Sequence, residues 1–215
     1  MNLPTKITVS RIAIVVLMII GLFTMSLIPN FEAPTLGNTG INLAFLIVAI
    51  VFLIASLTDM LDGYLARKLN QVTSLGKFLD PVADKLLVNS IIIFLVAPSI
   101  FAPYVDQSVQ IISFNVWCAI ILVARDIIVD ALRFIAAQKK IVIAANNFGK
   151  AKTVLQMVAI VLVLLNGFPF NYFDSNWPAG IHIADIFVYL ATFVSVLSGI
   201  IYVVQNRKVL IDNER

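Results

Sequence analysis

Residues Asp59 to Arg67 read D-M-L-D-G-Y-L-A-R, and Gly76 to Asp84 read G-K-F-L-D-P-V-A-D, with eight residues, Lys68 to Leu75, between them. A charge-free run over 33–58 leads into the first segment, and another over 86–105 leads out of the second. A helical period places Asp59, Gly63 and Ala66 at i, i+4 and i+7, with Asp62 one turn from Asp59 on an adjoining face. Gly76, Asp80 and Asp84 recur at i, i+4 and i+8, which aligns them on one face of the next helix. Pro81 is expected in that helix's first turns, where its missing N–H costs least. The polar link from Lys68 to Ser74 is short, so the two helices are expected as antiparallel neighbours whose carboxylate faces converge. Four carboxylates beside lipid repel one another and are costly to desolvate. One or two divalent cations would compensate them.

The rest of the chain agrees with a membrane setting. Sixty per cent of its 215 residues are hydrophobic and 13% are charged, and the mean hydropathy is +0.99. That balance excludes an ordinary soluble domain. Charge-free runs fall at 12–31, 33–58, 86–105, 107–124, 153–173 and 186–206. Each approaches or exceeds the roughly 20 residues that cross ~30 Å of hydrocarbon. The fold expected is all-α: a polytopic integral membrane protein of six transmembrane helices, forming one domain over 1–215 with the aspartate segment 59–84 inside it.

All fifteen Lys and Arg fall in four places: Lys6 and Arg11, Arg67 to Lys85, Arg125 to Lys152, and Arg207 to Arg215. The intervening links carry none, so both termini and the aspartate segment are expected on the cytoplasmic side of the cell membrane. The basic residues do not interleave with aromatics, so no nucleic-acid partner is expected. The first apolar run is too long for a signal-peptide core and lacks a small-residue cleavage site, so it reads as a retained span. Cys118 is the only cysteine and lies within an apolar run, which leaves packing as its expected role. His182 falls in a far-side loop, and Tyr104, Tyr172 and Trp177 fit an outer aromatic belt.

Oxygen-only ligands suit Mg²⁺ or Mn²⁺, and no His or Cys lies near the aspartates to suggest zinc. Gly63, Ala66 and Gly76 remove side-chain bulk where a nucleotide would lie against helix backbone. Arg67 offers a permanent charge and planar donors suited to a diphosphate. The competing readings are ion pairs of these acids with Arg67, Lys68, Lys77 and Lys85, or a small cation transporter in which they line a path.

The pattern D-x-x-D-G-x-x-A-R-x8-G-x3-D-x3-D resembles the signature of the CDP-alcohol phosphatidyltransferases at every signature position. The resemblance implies a two-metal centre held by Asp59, Asp62, Asp80 and Asp84, with Asp84 as the base that deprotonates the acceptor hydroxyl. It implies a CDP-diacylglycerol site lined by Gly63, Ala66, Arg67, Thr73 and Gly76, with CMP as the leaving group. The start, N-L-P-T-K-I-T-V-S-R, is similar to the amino terminus of the phosphatidylglycerophosphate synthase branch of that family, and adds Thr5 and Thr8 to the nucleotide contacts. Thr5 stands where that branch usually has Asn.

Residues 125–156 contain R-D-I-I-V-D-A-L-R and N-N-F-G-K-A-K-T-V-L-Q, similar to the R-E…L-R…G-K-x-K-T…Q pattern of the same branch, with Asp126 in the Glu position. A phosphorylated acceptor such as sn-glycerol 3-phosphate needs a cationic pocket. Arg125, Arg133, Lys150 and Lys152 are the candidates for it, against a reading as positive-inside topology and attraction to anionic lipid heads. Asp130 at i−3 could pair with Arg133, and Asp126 and Asp130 either orient these arginines or form surface pairs. The implied function is transfer of a phosphatidyl group from CDP-diacylglycerol to glycerol 3-phosphate. The nearest alternatives are a CDP-type cardiolipin synthase and a phosphatidylinositol-phosphate or phosphatidylserine synthase. A homodimer within membrane lipid is a further expectation from the resemblance.

Overall fold

A computed structural model describes residues 2–28, 33–68, 74–96, 111–139, 141, 147–174, 176–178 and 180–207. These residues are helical throughout apart from turns and links, and among them no strand forms. They divide into two compact units, Met1–Ser113 with Leu164–Phe168, and Phe114–Val163 with Pro169–Arg215.

The first unit is built on α1 (Leu3–Ser26), α2 (Leu43–Lys68) and α3 (Ser74–Val96). Pro4 sits in the first turn of α1, where its fixed φ favours helix entry. Asn42 starts α2 by accepting the Ala44 N–H on its side-chain oxygen at 2.8 Å. Pro81 is the eighth residue of α3 and so lies inside the helix rather than in its first turn. Its ring leaves the Lys77 carbonyl without the usual i+4 N–H. Buried residues of α2 (Phe45, Val48, Phe52, Ala55) and α3 (Ala83, Leu87, Ile91) recur every three to four positions. α1 packs against both α2 and α3, which touch each other far less. Both α2 and α3 thus share α1 as a packing partner. Asn166 closes the unit in a left-handed conformation (φ 51°). Its carbonyl accepts from Ile112 N–H at 2.9 Å, and its amide donates to Gly40.

The second unit comprises α4 (Val116–Gln138), α5 (Asn147–Leu164), the single turn α6 (Asn171–Asp174) and α7 (Ile183–Gln205). Asn115 caps α4 by accepting from Trp117 N–H at 2.9 Å. α4 lies along α7, with Val129, Leu132 and Tyr202 buried together. The buried face of α7 is mostly small or polar: Ala184, Ala191, Thr192, Ser195, Ser198 and Gly199. Small residues of this kind let membrane helices approach closely.

Beside the apolar core, several polar side chains are enclosed while many large apolar ones face outward. Arg11, Thr8, Lys152, Gln156, Ser195 and Ser198 are buried, while Leu17, Phe23, Ile54, Phe134 and Phe193 stand exposed. Such an apolar exterior requires lipid. The Thr5–Met25 part of α1 and the Ile183–Gln205 part of α7 are long and apolar enough to cross a membrane, and the apolar part of α2, Leu43–Asp59, is shorter. The charge-free runs and the helices do not coincide. The run 107–124 contains the start of α4 only at Val116, and the run 153–173 outlasts α5, which ends at Leu164. Absence of charge marks where ions are excluded, whereas caps and left-handed residues set where helical hydrogen bonding stops.

Candidate active site

In the first unit the site is organised by one stripe of α1. Thr5, Thr8 and Arg11, spaced three apart, are all buried, and Val15 continues the stripe. The Thr8 hydroxyl donates to Asp80 Oδ1 at 2.9 Å. Arg11 donates from a terminal guanidinium nitrogen to Asp59 Oδ1 in an ion pair. A single helix face thus engages both halves of the aspartate signature, Asp59 on α2 and Asp80 on α3. The Arg11 side chain is 1% exposed, whereas that of Asp59 is 41% exposed. The arginine is held entirely within protein, and its carboxylate partner keeps a face open to a ligand. Asp80 and Asp84 are half-buried, and Gly76, one turn before Asp80, is buried.

Asp62, Gly63, Ala66 and Arg67 lie on the last turns of α2, where the backbone is described but the side chains are outside the described set. Thr73 lies outside the described residues altogether, as does Tyr104. Among the described residues, no three His, Cys, Asp or Glu side chains stand grouped as an ion site by themselves. The carboxylate oxygens of Asp59, Asp80 and Asp84 on α2 and α3 are the donor type that hard divalent cations take.

In the second unit, Arg125 and Lys152 are brought together by Asp126. The carboxylate accepts from Lys152 Nζ on both oxygens at 2.7 Å, and from an Arg125 terminal nitrogen at 3.0 Å. The other terminal nitrogen of Arg125 donates to the Ser198 hydroxyl on α7 at 2.7 Å. Arg133 lies further along α4 and does not join this group: its Nε donates to the Tyr202 hydroxyl at 3.2 Å, and its guanidinium lies over that ring. Lys150 is exposed.

Three features escape a reading of the sequence alone. Arg11 read as a topology charge, although a cation directly before the apolar run 12–31 was a signal that it needs a buried anion. Ser198 and Tyr202 sat unremarked in an apolar run, yet Ser195, Ser198 and Tyr202 at helical spacing mark a polar face. At the start of α7, Asp185 accepts the His182 N–H at 3.0 Å and Asp174 accepts the Ile183 N–H at 2.7 Å, so two buried carboxylates hold that helix end.

The helical fold with its apolar helices is that of a membrane protein, and α1 ties together the aspartates of α2 and α3. A model of the CDP-alcohol phosphatidyltransferase family matches residues 1–202, and the chain belongs to that family. Relatives named CDP-diacylglycerol–glycerol-3-phosphate 3-phosphatidyltransferase match nearly end to end. The Bacillus subtilis protein is 39% identical over 211 residues, covering 97% of each chain. The Mycoplasma pneumoniae protein is 37% identical, covering 97% of this chain and 89% of its own. The Haemophilus influenzae protein is 32% identical, covering 99% and 97%.

Proposed function

We infer that the chain transfers the phosphatidyl group of CDP-diacylglycerol to sn-glycerol 3-phosphate, releasing CMP and forming phosphatidylglycerophosphate. The observation that carries this reading is the full-length similarity to proteins of that name. The paired cations Arg125 and Lys152 support it, because a phosphorylated acceptor requires charge that glycerol or a neutral alcohol would not.

In this reading Asp84 takes the proton from the acceptor hydroxyl, and the resulting oxygen attacks the phosphorus that bears the diacylglycerol. The bond from that phosphorus to the CMP oxygen breaks, and CMP leaves with the electron pair. Thr5, Thr8, Gly63, Ala66, Arg67, Thr73 and Gly76 line the CDP site. Asp59, Asp62, Asp80 and Asp84 would hold two Mg²⁺ or Mn²⁺ ions, which when bound stabilise charge on the phosphoryl oxygens. Arg125, Arg133, Lys150 and Lys152 serve the acceptor phosphate. The chain is read as one domain of six transmembrane helices, with both termini and the active site cytoplasmic. It is read as a homodimer in the cell membrane.

The test is an acceptor panel with the purified protein, CDP-diacylglycerol and Mg²⁺. CMP release should follow glycerol 3-phosphate and be slow with free glycerol. Arg125→Ala should raise the KM for glycerol 3-phosphate by about one to two orders of magnitude, the equivalent of one charge-assisted hydrogen bond, with little change for CDP-diacylglycerol. Equal or preferred use of glycerol or phosphatidylglycerol would refute the acceptor assignment.

A further inference from the structure

The second unit holds a polar cluster that the acceptor reading uses only in part. It is formed by Arg125 and Asp126 on α4, Lys152 on α5, and Ser198 and Gly199 on α7. All three charged side chains are largely enclosed, with Lys152 at 6%, Asp126 at 14% and Arg125 at 15% exposure. A buried lysine without an anion would be strongly disfavoured. Asp126 supplies that anion and at the same time holds one end of the guanidinium.

Arg125 is fixed at three points. One terminal nitrogen is on Asp126, the other is on Ser198, and its stem lies against the α7 backbone. A Cβ added at Gly199 would stand 3.0 Å from Arg125 Cγ, so the glycine lets that stem lie a few tenths of an ångström closer to α7 than a side chain would. Gly149 of α5 approaches the same hydroxyl, since a Cβ there would meet Ser198 Oγ at 3.8 Å. Among the described residues the buried Arg125 Nε has no acceptor.

We propose that Asp126 and Ser198 are positioning residues for the acceptor phosphate, holding Arg125 and Lys152 in one fixed two-cation cradle. This rests on the reading of glycerol 3-phosphate as acceptor. Two long cationic side chains left loose must lose rotamer freedom when a ligand binds, and the cradle removes that cost in advance. The cradle carries two cations and one carboxylate, hence a net charge of +1. Charge alone and positioning therefore predict opposite effects of losing Asp126. Neutralising it raises the local positive charge, which by itself would draw a phosphate in more strongly.

The test measures KM for both substrates and kcat in the purified full chain for Asp126→Asn, Asp126→Glu, Ser198→Ala and Arg125→Ala. Asp126→Asn should raise the KM for glycerol 3-phosphate about tenfold, the scale of one lost charge-assisted hydrogen bond, while the KM for CDP-diacylglycerol and kcat stay within about twofold. Asp126→Glu should restore most of the loss. Ser198→Ala, which removes a single hydroxyl, should raise the same KM about threefold. An unchanged or lowered glycerol 3-phosphate KM in Asp126→Asn overturns the proposal, as does an equal change for both substrates. Should Asp126→Asn not fold, Ser198→Ala decides, and an unchanged KM there overturns it. Arg125→Ala separates the two ideas: if it raises the glycerol 3-phosphate KM while Asp126→Asn and Ser198→Ala do not, positioning alone fails. If Arg125→Ala also leaves that KM unchanged, the acceptor reading falls with it.

Discussion

The ion pair between Arg11 and Asp59 is lopsided, and the lopsidedness predicts the outcome of a double-mutant cycle. Removing Asp59 takes a carboxylate away from a guanidinium whose side chain is 1% exposed and out of reach of water. Breaking an enclosed ion pair from one side costs up to about 3–5 kcal/mol. Removing Arg11 strands a carboxylate with 41% of its side chain exposed, which water can resolvate. That loss is bounded by one charge-assisted hydrogen bond, about 1.5–3 kcal/mol, and solvent screening puts it at or below the lower end. Asp59→Ala should therefore destabilise more than Arg11→Met, and the double variant should be more stable than Asp59→Ala alone. The measurement is thermal inactivation half-life in lipid–detergent micelles with EDTA present, so that metal affinity does not enter. Equal losses in the two single variants, or a double variant no better than Asp59→Ala, would refute the argument that Arg11 depends on Asp59 for its burial.

Activity should require Mg²⁺ or Mn²⁺, with Asp80→Asn lowering both metal affinity and turnover; full CMP release in excess EDTA excludes the metal centre. Asp84→Asn should abolish turnover while CDP-diacylglycerol binding largely survives, and near-normal turnover would remove Asp84 from the role of base. Gly199→Ala should shift the Arg125 stem by a few tenths of an ångström, and a guanidinium that moves with it should show as a several-fold rise in glycerol 3-phosphate KM. An unchanged KM in that variant means the stem can shift without moving the guanidinium.

Local periodicity was enough to place Asp59 on one helix and Asp80 and Asp84 on another, because carboxylates at helical spacing share a face whatever surrounds them. The role of α1 was not legible in the same way. Thr8 and Arg11 meet Asp80 and Asp59 across 72 and 48 residues, and no local pattern encodes which helix comes between two others. Asp126 illustrates a different limit. Its neighbour Arg125 was visible in the chain, but Lys152 joins through the packing of α5 and Ser198 through that of α7. Pro81 was assigned to the first turns of a helix because they are its cheapest position, yet α3 begins about two turns earlier at Ser74 and runs through it.

Cys118 is the chain's sole thiol and sits buried on α4. Alkylation can add at most one adduct per molecule, so intact mass resolves the population into sealed and opened chains without any engineered label. The rate of that conversion is a clock for the opening of the second unit alone. A bound acceptor that tightens the Arg125 cradle should slow it, while a ligand confined to the first unit should leave it running at its own pace.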